Sequence, residues 1–375
     1  MVAPARRFAS VEISLIRQIQ ALATPLTINL GLGEPNLEPD ARLRALAAEA
    51  AAGGSWRYSP NAGLLALRRA ISDLEAPQYD PAAEICVTAG TEEGLHAVFQ
   101  AFVEEGDEVL VPDPGFLSYP VLTRIAGGTP VPYALDPEGW GIDFDSLEKG
   151  WTRRTKAVVV NSPSNPTGGV LDETSVRRVV AMAQERGALV ISDEVYRDIH
   201  YEGAPPSFGG RGEGVIVAGG LSKSHAMTGL RLGWVLAPAE LMSTIVKAHQ
   251  YIATCASVFS QELALRIFAD PEADRAWRES VRERFRIQRD TAVAVALQAL
   301  GEGITPPAGA FYLFIPVPRC DTVELARSLA LDAAVLTIPG TAFGRRGEGF
   351  LRVSFAAEPA AIQHGIERIG RHLGG

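Results

Sequence analysis

The chain has 375 residues, more than one simple hydrophobic core supports, so about two domains are expected. Its formal charge is 35 − 44 = −9 and no concentrated Lys/Arg patch interrupts it, which argues against nucleic acid as a partner. With 47% hydrophobic and 21% charged residues it reads as a soluble globular protein, and no apolar run reaches membrane-spanning length.

In chain order, the N-terminal stretch has arginines but no signal-peptide core or cleavage site, and Glu12 argues against a transit peptide. Val11, Leu15, Ile19 and Leu22 recur at helical spacing and predict a short amphipathic helix. The middle of the chain holds seven short apolar runs, at 84–88, 108–112, 129–135, 156–160, 188–192, 214–219 and 233–237. Near-continuous Val/Ile/Leu runs suit strands buried on both faces. Helical patterns between them, such as 91–105 and 173–186, suit right-handed crossovers. The loop between the last run and its predecessor shows no clear helix, so the last strand can run antiparallel. The expectation is an α/β fold with a seven-stranded, mostly parallel sheet.

The tail changes pattern. A long Arg-rich helix is predicted over 272–299, with Pro271 at its start. Strand-like runs at 309–317, 334–340 and 349–356 then alternate with helices near 321–332 and 358–373. This is a small α+β unit, and the N-terminal segment is expected to pack on it. The division expected is a large domain over 36–271 and a small one made of 1–35 plus 272–375. Cys86, Cys255 and Cys320 are odd in number and far apart, which predicts reduced thiols, a cytoplasmic protein and no metal site.

Ligands on open α/β sheets bind beyond the carboxyl ends of the strands, so the residues that follow each run are the candidates. Gly90 and Thr91 open a helix and offer backbone N–H groups to an anion. Phe116 and Tyr119 follow the second run and offer aromatic surface or core packing. Asn165 precedes a proline and sits in a turn. Asp193 ends a buried run, where a carboxylate is costly unless paired, and Tyr196 lies three residues on. After the sixth run comes "GGLSKSHAMTGLRLG", with Ser222, Lys223 and Arg231. Lys223 is one of four lysines against thirty-one arginines. A lysine amine, unlike a guanidinium, can lose its proton and act as a nucleophile. The segment is not a phosphate-binding P-loop, because Ser222 precedes Lys223, and "GLSKS" is not a nucleophile elbow. "GLGEP" at 31–35 lacks the dinucleotide fingerprint. An amine, an anion site, an aromatic surface, a phenol and a carboxylate at successive strand ends together describe a site for pyridoxal 5'-phosphate.

"NSPSNPTG", "SDEVY" and "GGLSKSHAMTGLRLG", in this order, resemble the class I/II aminotransferases of the fold-type-I, aspartate-aminotransferase-like superfamily. The likeness extends from "LGLGEP" to "FLRVSFA". The resemblance implies that Lys223 holds the cofactor as a Schiff base and moves the proton. It implies that Asp193 pairs with the ring nitrogen, that Tyr196 and Asn165 donate to the ring oxygen, and that Phe116 stacks on the ring. Gly90, Thr91, Ser222 and Arg231 fall at phosphate-binding positions. Tyr58 matches a tyrosine that reaches the phosphate of a neighbouring subunit, which implies a homodimer with shared sites. Arg352 matches the arginine for the substrate α-carboxylate, with Gly33 on the loop that helps it and Asn165 beside it. Glu92 is a departure within the cofactor set, and Gly220 stands where some relatives carry a phosphate-binding serine.

The reaction implied is amino transfer between an L-amino acid and a 2-oxo acid. No second cation for a dicarboxylate can be placed from sequence, although Arg17 or Arg197 could lie close in space, so neutral or aromatic side chains are favoured. A C–S lyase or other β-eliminating enzyme of the same fold is the alternative. A non-catalytic aminotransferase-like sensor is third, since residues 1–35 are too short for a winged helix.

Overall fold

Valine- and isoleucine-rich runs build the centre of the molecule. The computed structural model describes residues 5–9, 11–318 and 320–374. Its strands are, in chain order, β1 (Ile28–Asn29), β2 (Ile85–Thr88), β3 (Glu108–Asp113), β4 (Thr129–Asp136), β5 (Gly141–Ile142), β6 (Thr155–Asn161), β7 (Leu189–Asp193), β8 (Val215–Gly220), β9 (Gly233–Leu236), β10 (Tyr312–Pro316), β11 (Val335–Leu336), β12 (Ile338–Pro339) and β13 (Phe350–Ser354). Strands β2 to β9 form one sheet of eight in the order β2-β9-β8-β7-β6-β3-β4-β5. The seven long strands are the seven runs expected. The eighth, β5, is two residues that fold back on β4 through the turn at 137–140, too short to leave an apolar run in the sequence.

Strands β4, β3, β6, β7 and β8 are parallel, and β9 runs antiparallel between β8 and β2. Successive side chains point to opposite faces. Val158, Val160, Val190 and Val217 therefore join the core that continues into the C-terminal unit, while Ala157, Val159, Ile191 and Ile216 pack under the helices Thr91–Phe102 and Ala239–Ala253. Helix starts are set by short polar caps: Asp172 Oδ1 accepts from Ser175 N at 2.7 Å, and Asp270 Oδ1 from Ala273 N at 3.0 Å ahead of Pro271.

The C-terminal unit is a three-stranded antiparallel sheet, β10-β13-β12, with the helices Pro271–Leu300, Thr322–Asp332 and Pro359–Gly374. Strand β1 pairs in parallel with β11, which ties the N-terminal segment to this unit. The N-terminal helix starts later than its apolar spacing predicts, at Leu15, because Ser14 Oγ caps it by accepting from Arg17 N; Val11 precedes it. Residues 1–4 and 10 of that stretch lie outside the described residues. No helix among the described residues is long and apolar enough to cross a membrane.

Phe314 of β10 stacks on Phe350 of β13, centroids 4.8 Å apart, and meets Trp140 of the β4–β5 turn edge-on at 5.3 Å. It thus joins the small sheet to the large one. Phe314→Ala is expected to destabilise the protein by about 3–5 kcal/mol, and Phe314→Leu by less than about 1.5 kcal/mol, in denaturant unfolding. Equal losses in the two variants would show that the site collapses around any truncation.

Candidate active site

The carboxyl ends of the parallel strands face one cavity of about 340 Å³. Its lining includes Gly33, Thr91, Glu92, Phe116, Asn165, Asp193, Tyr196, Ser222, Lys223, Arg231 and Arg352. The sequence-predicted set therefore converges, with Gly90 at the edge through its contact with Arg231 and with Tyr58 apart. A hollow of about 930 Å³ elsewhere is larger, but Trp56, Tyr58, Val258 and Phe259 line it together with small residues, and it holds none of the convergent charged groups.

Asp193 and Asn161 end β7 and β6 and are paired in register. Asn161 Nδ2 donates to the Asp193 carbonyl at 2.9 Å, and its Oδ1 accepts from Asn165 N at 2.8 Å, which shapes the turn that carries Asn165. Asp193 is buried; burial pushes its carboxyl up to about 6, against the Tyr119 hydroxyl that donates to Oδ2 at 2.8 Å. A carboxyl this poorly solvated stays ionised at neutral pH with little margin, and a cationic partner stabilises it. Tyr119 is thus a site residue, whereas Phe116 is half-buried and meets it edge-on at 5.6 Å.

Lys223 follows β8 and donates from Nζ to the Gly33 carbonyl at 2.8 Å. Burial lowers its pKa to about 8; Glu34 opposes the shift, and Arg352 and Arg231 add to it. Arg352, in the middle of β13, is fully buried. It donates to Asn165 Oδ1 at 3.0 Å and to the Gly31 carbonyl at 2.6 Å, while its Nε has no partner. Tyr312 and Phe343 lie against the guanidinium at 4.4 and 4.8 Å. No carboxylate pairs with it among the described residues. The Tyr312 hydroxyl also bonds that of Tyr196 at 2.7 Å.

The helix Thr91–Phe102 begins at Gly90, whose φ of 90° favours glycine. A Cβ there would lie 2.5 Å from the Arg231 guanidinium, so glycine lets the cation sit over the helix N-terminus. Arg231, itself left-handed at φ 51°, holds its place through the Thr228 carbonyl at 2.9 Å. The Thr91 hydroxyl donates to the Gly219 carbonyl at 2.9 Å, and Ser222 is buried beside it. Helix N–H groups, a hydroxyl and an arginine make an anion cradle. Glycine at 220 has its own reason: a Cβ would come within 2.9 Å of Leu232 O and Gly233 Cα on the paired strand, leaving no room for a serine. Glu92 lines the cavity near Arg231 and His96 with its pKa raised, chiefly by desolvation.

The residues fit pyridoxal 5'-phosphate on the structure's own terms: an anion cradle, a carboxylate that a ring cation would stabilise, an amine of lowered pKa and a buried arginine without a counter-ion. Sequence reasoning placed Tyr119 at a strand end as aromatic surface or core packing, not as a donor to Asp193, and it missed Asn161 and Tyr312 as site groups. Asn161 was findable as the polar residue that ends its apolar run; Tyr312 lies inside a strand whose facing is set by tertiary packing. Arg17 and Ile16 of the helix Leu15–Gln20 also line the cavity, whereas Arg197 lies beside Glu194, 3.9 Å away. In the cofactor-free protein, acylation of Lys223 followed by mass spectrometry is expected to show a pH midpoint near 8, against 10.5 for an ordinary lysine. Glu34→Gln should lower it further, since the lost carboxylate favoured the ammonium. A midpoint at the ordinary value would contradict the burial argument.

Residues 26–369 match the family model described as "Aminotransferase class I and II". The chain is 35% identical to an aspartate aminotransferase of Pyrococcus abyssi over 98% of this chain and 97% of that one. It is 33% identical to aromatic-amino-acid aminotransferase 2 of Thermococcus litoralis, over 98% and 97%. Among solved structures, the aspartate aminotransferase of Thermus thermophilus with maleate superposes with a TM-score of 0.93 at 33% identity, covering 99% of this chain and 100% of that one. The chain belongs to the class I and II aminotransferases, transaminases of fold type I that use pyridoxal 5'-phosphate.

Proposed function

We propose that Lys223, Asp193, Arg352 and the Gly90–Thr91–Ser222–Arg231 cradle carry amino transfer between an L-amino acid and a 2-oxo acid. The observation that carries this reading is Arg352, a buried cation whose Nε has no partner, in the same cavity as a lysine of lowered pKa. The bound cofactor supplies an aldehyde for covalent attachment and a ring that takes up electrons released at the substrate Cα. Around it, the cradle with Arg231 holds the phosphate, and Asp193 keeps a proton on the ring nitrogen. Asn165 gives one end of its amide to Arg352 and keeps Nδ2 for a ligand, and Tyr196 offers its hydroxyl beside it. Arg352 grips the α-carboxylate, and Lys223 Nζ takes the Cα proton and returns it.

Phe116, Leu32, Leu95 and Leu117 give the cavity an apolar wall that suits neutral or aromatic side chains. Arg17, exposed at the mouth, adds a cation that suits a side chain ending in a carboxylate. Further parts of the reading are a cytoplasmic enzyme, from three unpaired thiols, and the two-unit division at residues 36–271 and 1–35 plus 272–375. A homodimer is the remaining part: Trp56, Tyr58 and Tyr251 are at least 86% exposed, too much apolar surface to leave in water, and Tyr58 would serve the partner's site.

The test is a panel of amino donors and 2-oxo acid acceptors. Exchange of the amino group is expected; release of pyruvate and ammonia instead would favour the β-eliminating alternative. Arg352→Ala should raise the amino-donor KM about a hundredfold and leave cofactor affinity within about twofold, because a charge-assisted bidentate contact to the substrate is lost while the phosphate cradle, built on other elements, stays. Unchanged donor KM would remove Arg352 from the substrate site. Arg17→Ala should lower kcat/KM for glutamate about tenfold while phenylalanine stays within about twofold, the loss of one charged hydrogen bond. Equal effects on both donors would contradict a role for Arg17 in selection.

A further inference from the structure

Lys223, which the proposed function makes the cofactor lysine, lies in a turn. The His225 amide donates to the Leu221 carbonyl at 3.1 Å and closes the turn around it. Leu221, Ser222, Ser224 and His225 are buried, and Lys223, half-buried, reaches the cavity.

The far side of the turn is bound to the start of the helix Pro271–Leu300. Trp277 Nε1–H donates to the Ser224 carbonyl at 3.1 Å. His225 Nε2 lies 2.8 Å from Asp274 Oδ1, and its Nδ1 lies 2.9 Å from Ser224 Oγ. Asp274 Oδ2 accepts from Arg278 Nε at 2.9 Å, and the same guanidinium meets Asp198 at 2.9 Å and Glu75 at 2.5 Å. Burial lowers the His225 pKa, more than its bond to Asp274 raises it, so the ring is neutral at neutral pH. Burial alone would raise Asp274, but His225 and Arg278 outweigh it and the carboxyl lies below its ordinary value. A neutral ring facing a carboxylate donates from Nε2, which leaves Nδ1 to accept the Ser224 hydroxyl. None of Ser224, His225, Asp274 or Arg278 lines the cavity. They lie behind the cavity wall, yet two of them directly follow Lys223.

We propose that Ser224, His225 and Asp274 form a buried positioning chain that fixes the turn carrying Lys223 against the helix Pro271–Leu300, so that the amine is held at one place and angle beside the substrate Cα. Proton transfer is sensitive to such placement: a misplacement of about 1 Å costs on the order of a hundredfold in rate. Substrate binding rests on Arg352 and Asn165, on other elements.

The experiment compares His225→Phe, His225→Gln and Ser224→Ala holoenzymes with wild type. Two quantities are read: steady-state kinetics per bound cofactor, and the pH midpoint of the absorbance of the Lys223-linked cofactor. His225→Phe keeps the ring volume and loses both side-chain bonds; His225→Gln keeps a donor for Asp274. We expect His225→Phe to lower kcat about tenfold to a hundredfold with donor KM within about threefold, and His225→Gln to recover most of the loss. The absorbance midpoint should shift in His225→Phe and return in His225→Gln. A merely structural role would lower the melting temperature and leave kcat per loaded site and the midpoint at wild-type values, which would overturn the proposal. If His225→Phe does not fold, Ser224→Ala decides by the same readouts: a fall in kcat of about threefold or more supports the chain, and wild-type values overturn it. Lack of any Lys223-linked absorbance in the wild type would instead sink the assignment of the lysine itself.

Discussion

Burying an ion costs several kcal/mol unless partners offset it, and Arg352 is buried against two aromatic faces with hydrogen-bond acceptors but no carboxylate among the described residues. Asp193 carries the complementary burden at the end of β7, held by a phenol and a backbone amide. Lys223 sits with them and is pushed toward its neutral form. Arg352 and Asp193 thus lie without a side-chain ion-pair partner among the described residues, an arrangement that suits an anion at the first and a cation at the second. The rest of the architecture maintains that arrangement: parallel strands deliver Asn161, Asp193 and the Lys223 turn to one edge, and β13 brings Arg352 across from the C-terminal unit.

The origin of this convergence is topological. Strands β6, β7 and β8 are parallel neighbours, so their carboxyl ends coincide. Strand β9 returns antiparallel and places Arg231 and Gly233 beside the helix that starts at Gly90, which builds the cradle from two separate segments. The glycines at these crossings allow backbone and guanidinium to approach closely, and at position 220 the close approach leaves no room for a further hydroxyl in the cradle.

Much of this was legible in the sequence because buried parallel strands leave long apolar runs, and the residues that end such runs are the ones that face the crevice. Asp193, Lys223 and the Gly90–Thr91 pair were readable on that logic alone; Arg352 needed the family likeness, since an arginine inside "GFLRVSF" has no local signature. Strand β5 was not legible, because two residues carry no periodicity. Arg17 in the cavity, the Tyr196–Tyr312 pair and the Tyr119–Asp193 bond depend on contacts between segments far apart in the chain. No spacing rule reports those. The Ser224–His225–Asp274 chain is of the same kind: its first two members sit in the most recognisable motif of the sequence, and the third lies 49 residues on.

The proposed reaction requires the Lys223 amine as the point of covalent attachment. The chain helps the test, because it has four lysines, Lys149, Lys156, Lys223 and Lys247, and peptide mapping can tell them apart. Purified protein loaded with pyridoxal 5'-phosphate, reduced with borohydride and digested should yield a single modified peptide, with the adduct on Lys223. An adduct on another lysine, or none, would contradict the account.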